Sequence, residues 1–422
     1  MHEILYEYDM NPTTWAYLSS LLTIGIYFKF RRFWSVRNLD LVALICLAPG
    51  LLLISHHKES LGYLWLFSVS GFFLVRLLVD PVMVRRPLLE PNLSAGAMVF
   101  AGAALLVFLI ANVINHPNGG PETTAPLSTT RLPATHPAPV DAGPELALFR
   151  LLLRGTGPVA EPADMSDPQQ RHRQMIREAM LRSLAILGHL AVVIGMLWIG
   201  YRHFDSIKAG MAAATLYLFL PYTAQMAADV DHVVPAALLV WGVAAYRRPI
   251  LAGFLLGWAA GVIYYPLLLL PLWCAFYWSR GLLRFAVGLG IAAALLALLV
   301  GLSPGSWQSY VLQFQQMISR HPGSGFWHDH EAVYRIPVLA AYVVLCASLA
   351  VWPPQKNLGT LLSCSAAVML GAQFWHAPHG GLYMAWYLPL LILTIFRPNL
   401  EDRLAITAVS ERLFSWRSQG RS

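Results

Sequence analysis

The sequence predicts an all-α, polytopic membrane bundle, and three observations carry that prediction. Mean hydropathy is +0.55 and only 12% of the 422 residues are charged, against 57% hydrophobic, which excludes an ordinary soluble domain. Apolar stretches recur near residues 12–28, 39–55, 61–79, 94–114, 183–201, 209–226, 232–246, 284–302, 336–353, 358–376 and 382–396, enough for about eleven spans. The basic residues behind the net charge of +7 sit in short turns between these stretches, as membrane orientation demands, and no nucleic-acid signature accompanies them.

Taken in order, residues 1–115 form the N-terminal transmembrane helices. Their start, MHEILYEYDMNPTTW, is acidic and has no cleavage site, so the first helix is expected to be retained. Residues 116–181 form a long loop that begins rich in Pro, Gly, Ser and Thr and then carries two amphipathic pieces: ELALFRLLLRG, and a helix opened by Asp167 and Pro168 that runs into the next span. Residues 182–400 form the C-terminal bundle, and residues 401–422 an Arg-rich tail. Lys29, Arg31, Arg32, Arg37, Arg85, Arg86, Arg202, Lys208, Arg247, Arg248, Arg280, Arg284 and Lys356 all fall on one side, expected to be cytoplasmic; the N-terminus and the long loop are then extracytoplasmic and the tail cytoplasmic.

That orientation holds only if residues 249–279 return to the side they leave. The run YRRPILAGFLLGWAAGVIYYPLLLLPLWCAFYWSRG is longer than one span, has cationic anchors at both ends and is interrupted by Tyr264, Tyr265 and Pro266. Pro266 lacks a backbone donor and disfavours helix at Tyr265, so the run predicts a re-entrant helical hairpin whose broken tip is met by protein or water.

Polar residues then gather at outward span ends. Asp229, Asp231 and His232 are the candidate catalytic group, with capping of the following helix as the alternative for either acid. Arg320 and Arg335 flank a loop and suit a phosphate or an interfacial anchor; Tyr264, Tyr265 and Trp258 offer an aromatic face for a sugar or lipid headgroup, or plain packing. His328, Asp329, His330 and Glu331 could present alternate residues to a divalent cation or form a solvated loop, and His376 and His379 fall on the same face. No metal site is assigned and no cofactor is identified. Arg76 and Asp80, four apart, read as a local ion pair. Cys46, Cys274, Cys346 and Cys364 lie in apolar segments without ligand spacing and read as small buried hydrophobes.

An acid at an outward span start, a span ending in Tyr246-Arg-Arg-Pro, and then AGFLLGWAAGVIYYPLLLLPL resemble the central segment of the GT-C superfamily of membrane glycosyltransferases. The similarity is to the bacterial polyprenyl-phosphate-mannose-dependent, α-mannosyltransferase-like branch. Gly253, Gly257, Ala259 or Ala260, and Pro266 match; Ile263 stands where that family holds a Lys. The resemblance covers about 60 residues. It implies a GT-C-like fold and an inverting hexosyltransferase with a lipid-linked donor in the cell envelope. An outward carboxylate would be the base, and Arg320, Arg335 or a metal would take the place of the Lys. The family keeps its base in the first outward loop after the first span, whereas here the equivalent early acids are Glu3, Glu7 and Asp9 before the first span, or Glu59 in a very short loop. The competing functions are a lipid or saccharide transporter or flippase, and a non-catalytic membrane subunit of an envelope-assembly complex.

Overall fold

A computed structural model describes residues 11–83, 90–115, 168–279, 281–301, 327, 332–375 and 383–400. Among the described residues the protein is all-helical. Six helices are long and apolar enough to cross a membrane, at Val36–Ser55, Glu59–Val82, Ala95–Asn115, Glu178–Arg202, Leu282–Leu299 and Leu358–Trp375, and shorter apolar helices stand beside them.

Helix α1 (Pro12–Tyr27) is capped by Asn11, whose side chain accepts from the Thr13 amide, and Pro12 opens it with a preset φ. A 3₁₀ turn (Phe30–Arg32) leads to α2 (Val36–Ile45) and α3 (Leu47–Ser55), two halves of one span jointed at Cys46. Helices α4 (Glu59–Val79) and α5 (Ala95–Asn115) follow. Helix α6 (Pro168–Arg202) is one unbroken helix of 35 residues, so the segment opened by Pro168 does run into the next span. Beyond it come α7 (Ile207–Phe219), the short α8 (Pro221–Gln225) and α9 (Val230–Ala244). The stretch 209–226 is thus not one helix, because Leu220 is extended ahead of Pro221 as a residue before proline prefers.

Helix α10 (Pro249–Val262) ends where Ile263 is extended; a 3₁₀ segment (Tyr265–Leu269) and α11 (Leu270–Tyr277) follow. Helix α12 (Leu282–Gly301) then runs parallel to α10. A Cβ at Gly253 would strike the Phe285 carbonyl, one at Gly257 the Ala292 side chain, and one at Gly261 the Leu296 side chain, so the two helices advance in step. Parallel neighbours require the segment between them to run back. The Tyr277 hydroxyl accordingly donates to the Tyr246 carbonyl at 2.6 Å, and Gly281 lies against Pro249, which brings both feet of the hairpin together. Its arms of 14 and 13 residues reach about 20 Å, short of a hydrocarbon core of about 30 Å. At the tip Ile263 and Tyr265 are buried.

The seam between α10 and α12 depends on missing side chains. Gly288→Ala, whose Cβ would overlap the Ile250 carbonyl, is expected to cost about 1–3 kcal/mol. Gly290→Ala, two residues along with nothing within 4 Å, should leave thermal unfolding in detergent unchanged or slightly improved.

Helices α13 (Arg335–Val351), α14 (Leu358–Trp375) and α15 (Leu388–Phe396) are the last of the described helices. Helix α14 is the axis: 94% of its span is buried, against 17% for α12 and 22% for α5 at the periphery. It contacts α4, α11, α13 and α15. Because apolar burial does not drive helices together in lipid, side-chain donors aimed at neighbouring helices matter. Tyr27 donates to the Ala212 carbonyl (3.0 Å), Trp241 to Ala191 (2.9 Å), Tyr342 to Val368 (2.9 Å) and Trp273 to the Ser365 hydroxyl (3.1 Å), each contributing about 0.6 kcal/mol.

Arg76 and Asp80 are more than a local pair. Arg76 forks onto Asp40 of α2 through Nε (2.9 Å) and Nη2 (3.0 Å) while Nη1 meets Asp80 (2.9 Å), and the other Asp80 oxygen accepts from Arg397 beyond α15 (2.5 Å). Both aspartates are fully buried, and the guanidiniums nearly so. Among the described residues these contacts join α2, α4 and the segment just beyond α15 through two guanidiniums and two carboxylates.

Candidate functional site

Helix α9 carries Asp229 to its start and leads to Arg247 and Arg248 just past its end, so the candidate acids stand at the opposite end of this helix from a basic turn. Asp229 occupies the N-cap position, and its backbone carbonyl accepts from the amides of His232 (3.2 Å) and Val233 (3.3 Å). Its carboxyl makes no capping bond. The capping alternative therefore does not account for this side chain.

Asp229 lies in the turn before α9, outside the apolar helices, and keeps partial access to solvent. Burial among the surrounding helices, and after it the charge of Asp231, raise its carboxyl from the ordinary range to about 7. A carboxyl poised there is half deprotonated near neutrality, the condition for proton transfer in either direction.

The His232 ring is buried, with Nδ1 2.5 Å from the Tyr222 hydroxyl and its face 4.6 Å from the ring of Tyr383. Tyr383 stacks on Trp386 (4.4 Å, 20°), and the Trp386 indole donates to the backbone carbonyl of Asp231 at 3.0 Å. Trp386 also meets Tyr265 (5.2 Å), which packs on Tyr264 (4.1 Å) and on Trp375 (5.6 Å). Arg335 donates to the Trp375 carbonyl through Nη2 (2.9 Å) and Nε (3.3 Å), and its charge acts on Tyr264. One series of rings thus runs from the acids of α9, through the turn before α15, to the hairpin tip and the first residue of α13.

Among the described residues several donors at these helix ends have no partner: Nε2 of Gln225, Nε2 of Gln373 and Nε1 of Trp375. The Oε1 atom of Gln373 is used, accepting from the Tyr383 amide at 3.1 Å. Buried donors left open are costly in a closed core and are the expected state of a place that receives a polar ligand or water.

Of the sequence-predicted residues, the structure brings Asp229, Asp231, His232, Tyr264, Tyr265 and Arg335 to this series. Arg320, His328, Asp329, His330, Glu331, His376 and His379 lie outside the described residues. Tyr222, Tyr383, Trp386 and Gln373 were not singled out from sequence. Aromatic residues at span ends are ordinary interface residues, and only contact with His232, Asp231 or Tyr265 sets these apart. Among the described residues no three His, Cys, Asp or Glu side chains converge as metal ligands. No known family model, characterised protein or solved structure matches the chain.

Proposed function

We propose that the protein is an integral-membrane glycosyltransferase that moves a hexose from a polyprenyl-phosphate donor to an envelope acceptor at the extracytoplasmic face. The observation that carries this reading is the meeting of a half-buried carboxyl of raised pKa with an unbroken series of aromatic rings that ends beside a guanidinium at the tip of a broken hairpin. Aromatic faces and open amide donors suit a sugar, and a guanidinium suits a phosphate.

In this scheme the acceptor hydroxyl attacks the anomeric carbon. The new C–O bond forms as the C–O bond to phosphate breaks, the phosphate leaves with the bonding electron pair, and the hydroxyl proton passes to Asp229 with inversion at the anomeric carbon. Asp231 supports the raised pKa of the base, His232 with Tyr222 and Tyr383 holds the start of α9, Tyr264, backed by the buried Tyr265, lines the sugar, and Arg335 faces the departing phosphate. The hairpin is taken as re-entrant from the cytoplasmic side and the fold as GT-C-like, with the N-terminus extracytoplasmic and the C-terminus cytoplasmic, on the strength of the basic turns.

The test is sugar transfer by the purified protein in liposomes, using polyprenyl-phosphate hexoses and scoring the anomer formed. Absence of transfer with every donor, or a retained anomer, counts against the reading. The rate should also follow the base: a carboxyl of raised pKa is inactive while protonated, so transfer is expected to rise with pH through about 7. A rate flat from pH 5 to pH 8 would remove Asp229 from the proton-transfer role.

A further inference from the structure

The turn between α1 and α2 displays side chains that neither the bundle nor the candidate site uses. Phe30, Phe33 and Trp34 are 70%, 58% and 91% exposed, and Arg31 and Arg32 between them are exposed as well. Neither guanidinium has a hydrogen-bond or ion-pair partner among the described residues.

The backbone beneath them is held firmly. Asn38 is almost fully buried, and its Nδ2 donates to the carbonyls of Lys29 (3.0 Å), Arg32 (3.0 Å) and Phe33 (3.2 Å) while its Oδ1 accepts from the Lys29 amide (3.1 Å). Asn92 braces the other side, donating to the carbonyls of Gly25 (3.0 Å) and Phe28 (3.2 Å) and accepting from Lys29 Nζ at 2.8 Å. The rings are fixed relative to one another: Phe30 and Phe33 meet Phe28 edge-on at 5.1 and 5.4 Å, and Trp34 meets Phe33 edge-on at 5.4 Å.

We infer that this turn is a preformed binding surface for the phosphate headgroups of anionic membrane lipids. It joins an apolar helix to the span Val36–Ser55, which places it at a membrane boundary. Orientation alone calls for cations without rings, and an aromatic belt calls for rings without a rigid cationic pair. Here three exposed rings would sit among headgroups and acyl-chain ends, where aromatic side chains prefer to be, and carry two planar guanidiniums to phosphate depth. Lys29 is committed to Asn92, so charge selectivity falls to Arg31 and Arg32.

The experiment measures retention of phosphatidylglycerol and of phosphatidylcholine by the purified full chain in detergent, read by native mass spectrometry. The wild type is expected to retain phosphatidylglycerol preferentially. Arg31→Gln with Arg32→Gln should weaken that retention by about 10- to 30-fold, two surface cations' worth, while leaving phosphatidylcholine unchanged. A control pair at exposed cations elsewhere, Arg202→Gln with Lys208→Gln, should change it by much less. Equal retention of the two lipids by the wild type, or an equal loss in the control pair, overturns the proposal. Because Arg31 and Arg32 are exposed and have no partner among the described residues, the substitutions should leave the fold intact, and an unchanged melting temperature verifies this.

Discussion

Asp229→Asn is expected to lower the rate of sugar transfer by about 100-fold to 10,000-fold, the usual contribution of a positioned base. The same change should make the protein no less stable. The side chain makes no capping bond, so the cost of about 0.5–2 kcal/mol that follows loss of a working cap does not apply. The linkage runs the other way. A carboxyl whose pKa is raised on folding binds more protons folded than unfolded between the ordinary carboxylate range and about 7, so the folded state loses stability as pH rises through that window. Asn does not titrate and escapes that loss. Melting temperatures of the variant and wild type should agree near pH 4 and diverge in favour of the variant at pH 8. Lower activity with equal or higher stability identifies a base; full activity in Asp229→Asn, Asp231→Asn and the double variant would move the search to Glu3, Glu7, Asp9, Asp329 and Glu331.

The largest effect on stability is expected at the charge cluster. Asp80→Asn leaves Arg397 facing a neutral amide with both side chains buried, and should destabilise by about 3–5 kcal/mol, since an uncompensated buried charge is lost with difficulty. Replacing Asp80 and Arg397 together by Leu removes both charges and should cost less than either single change, because the apolar pair needs no desolvation. Thermal unfolding of the three variants in one detergent checks this. A double variant as unstable as the sum of the singles would mean that the two residues act independently and that the short contact contributes little.

How far the sequence foretells the molecule depends on the range of the interaction. The long helix from Pro168 is legible because proline at a helix start is a local signal, and the turn at residues 263–266 because run length and Pro266 are local too. Arg76 and Asp80 are legible as a pair because their spacing of four is visible on one helix. Asp40, 36 residues before Arg76, and Arg397, 317 residues after Asp80, are joined to them only by tertiary packing. The candidate site divides in the same way. Charge at a span end marks Asp229, Asp231 and Arg335 as unusual, whereas nothing in residues 383–387 distinguishes Tyr383 and Trp386 from the many aromatics of the bundle until they are seen on His232 and beneath Asp231. Gly253 and Gly257 invite a motif reading, but their immediate role is mechanical: they let the backbones of α10 and α12 touch.

The charge cluster also sets a schedule for biogenesis. With 317 residues between Asp80 and Arg397, synthesis at about 5–20 residues per second brings the final partner roughly 15–60 s after the first helices have emerged. Through that interval α2 and α4 can already share Arg76 between Asp40 and Asp80, whereas the contact with Arg397 is still to be made. Arrival of α15 makes that contact, so a late segment acts as the closing clasp of an early one.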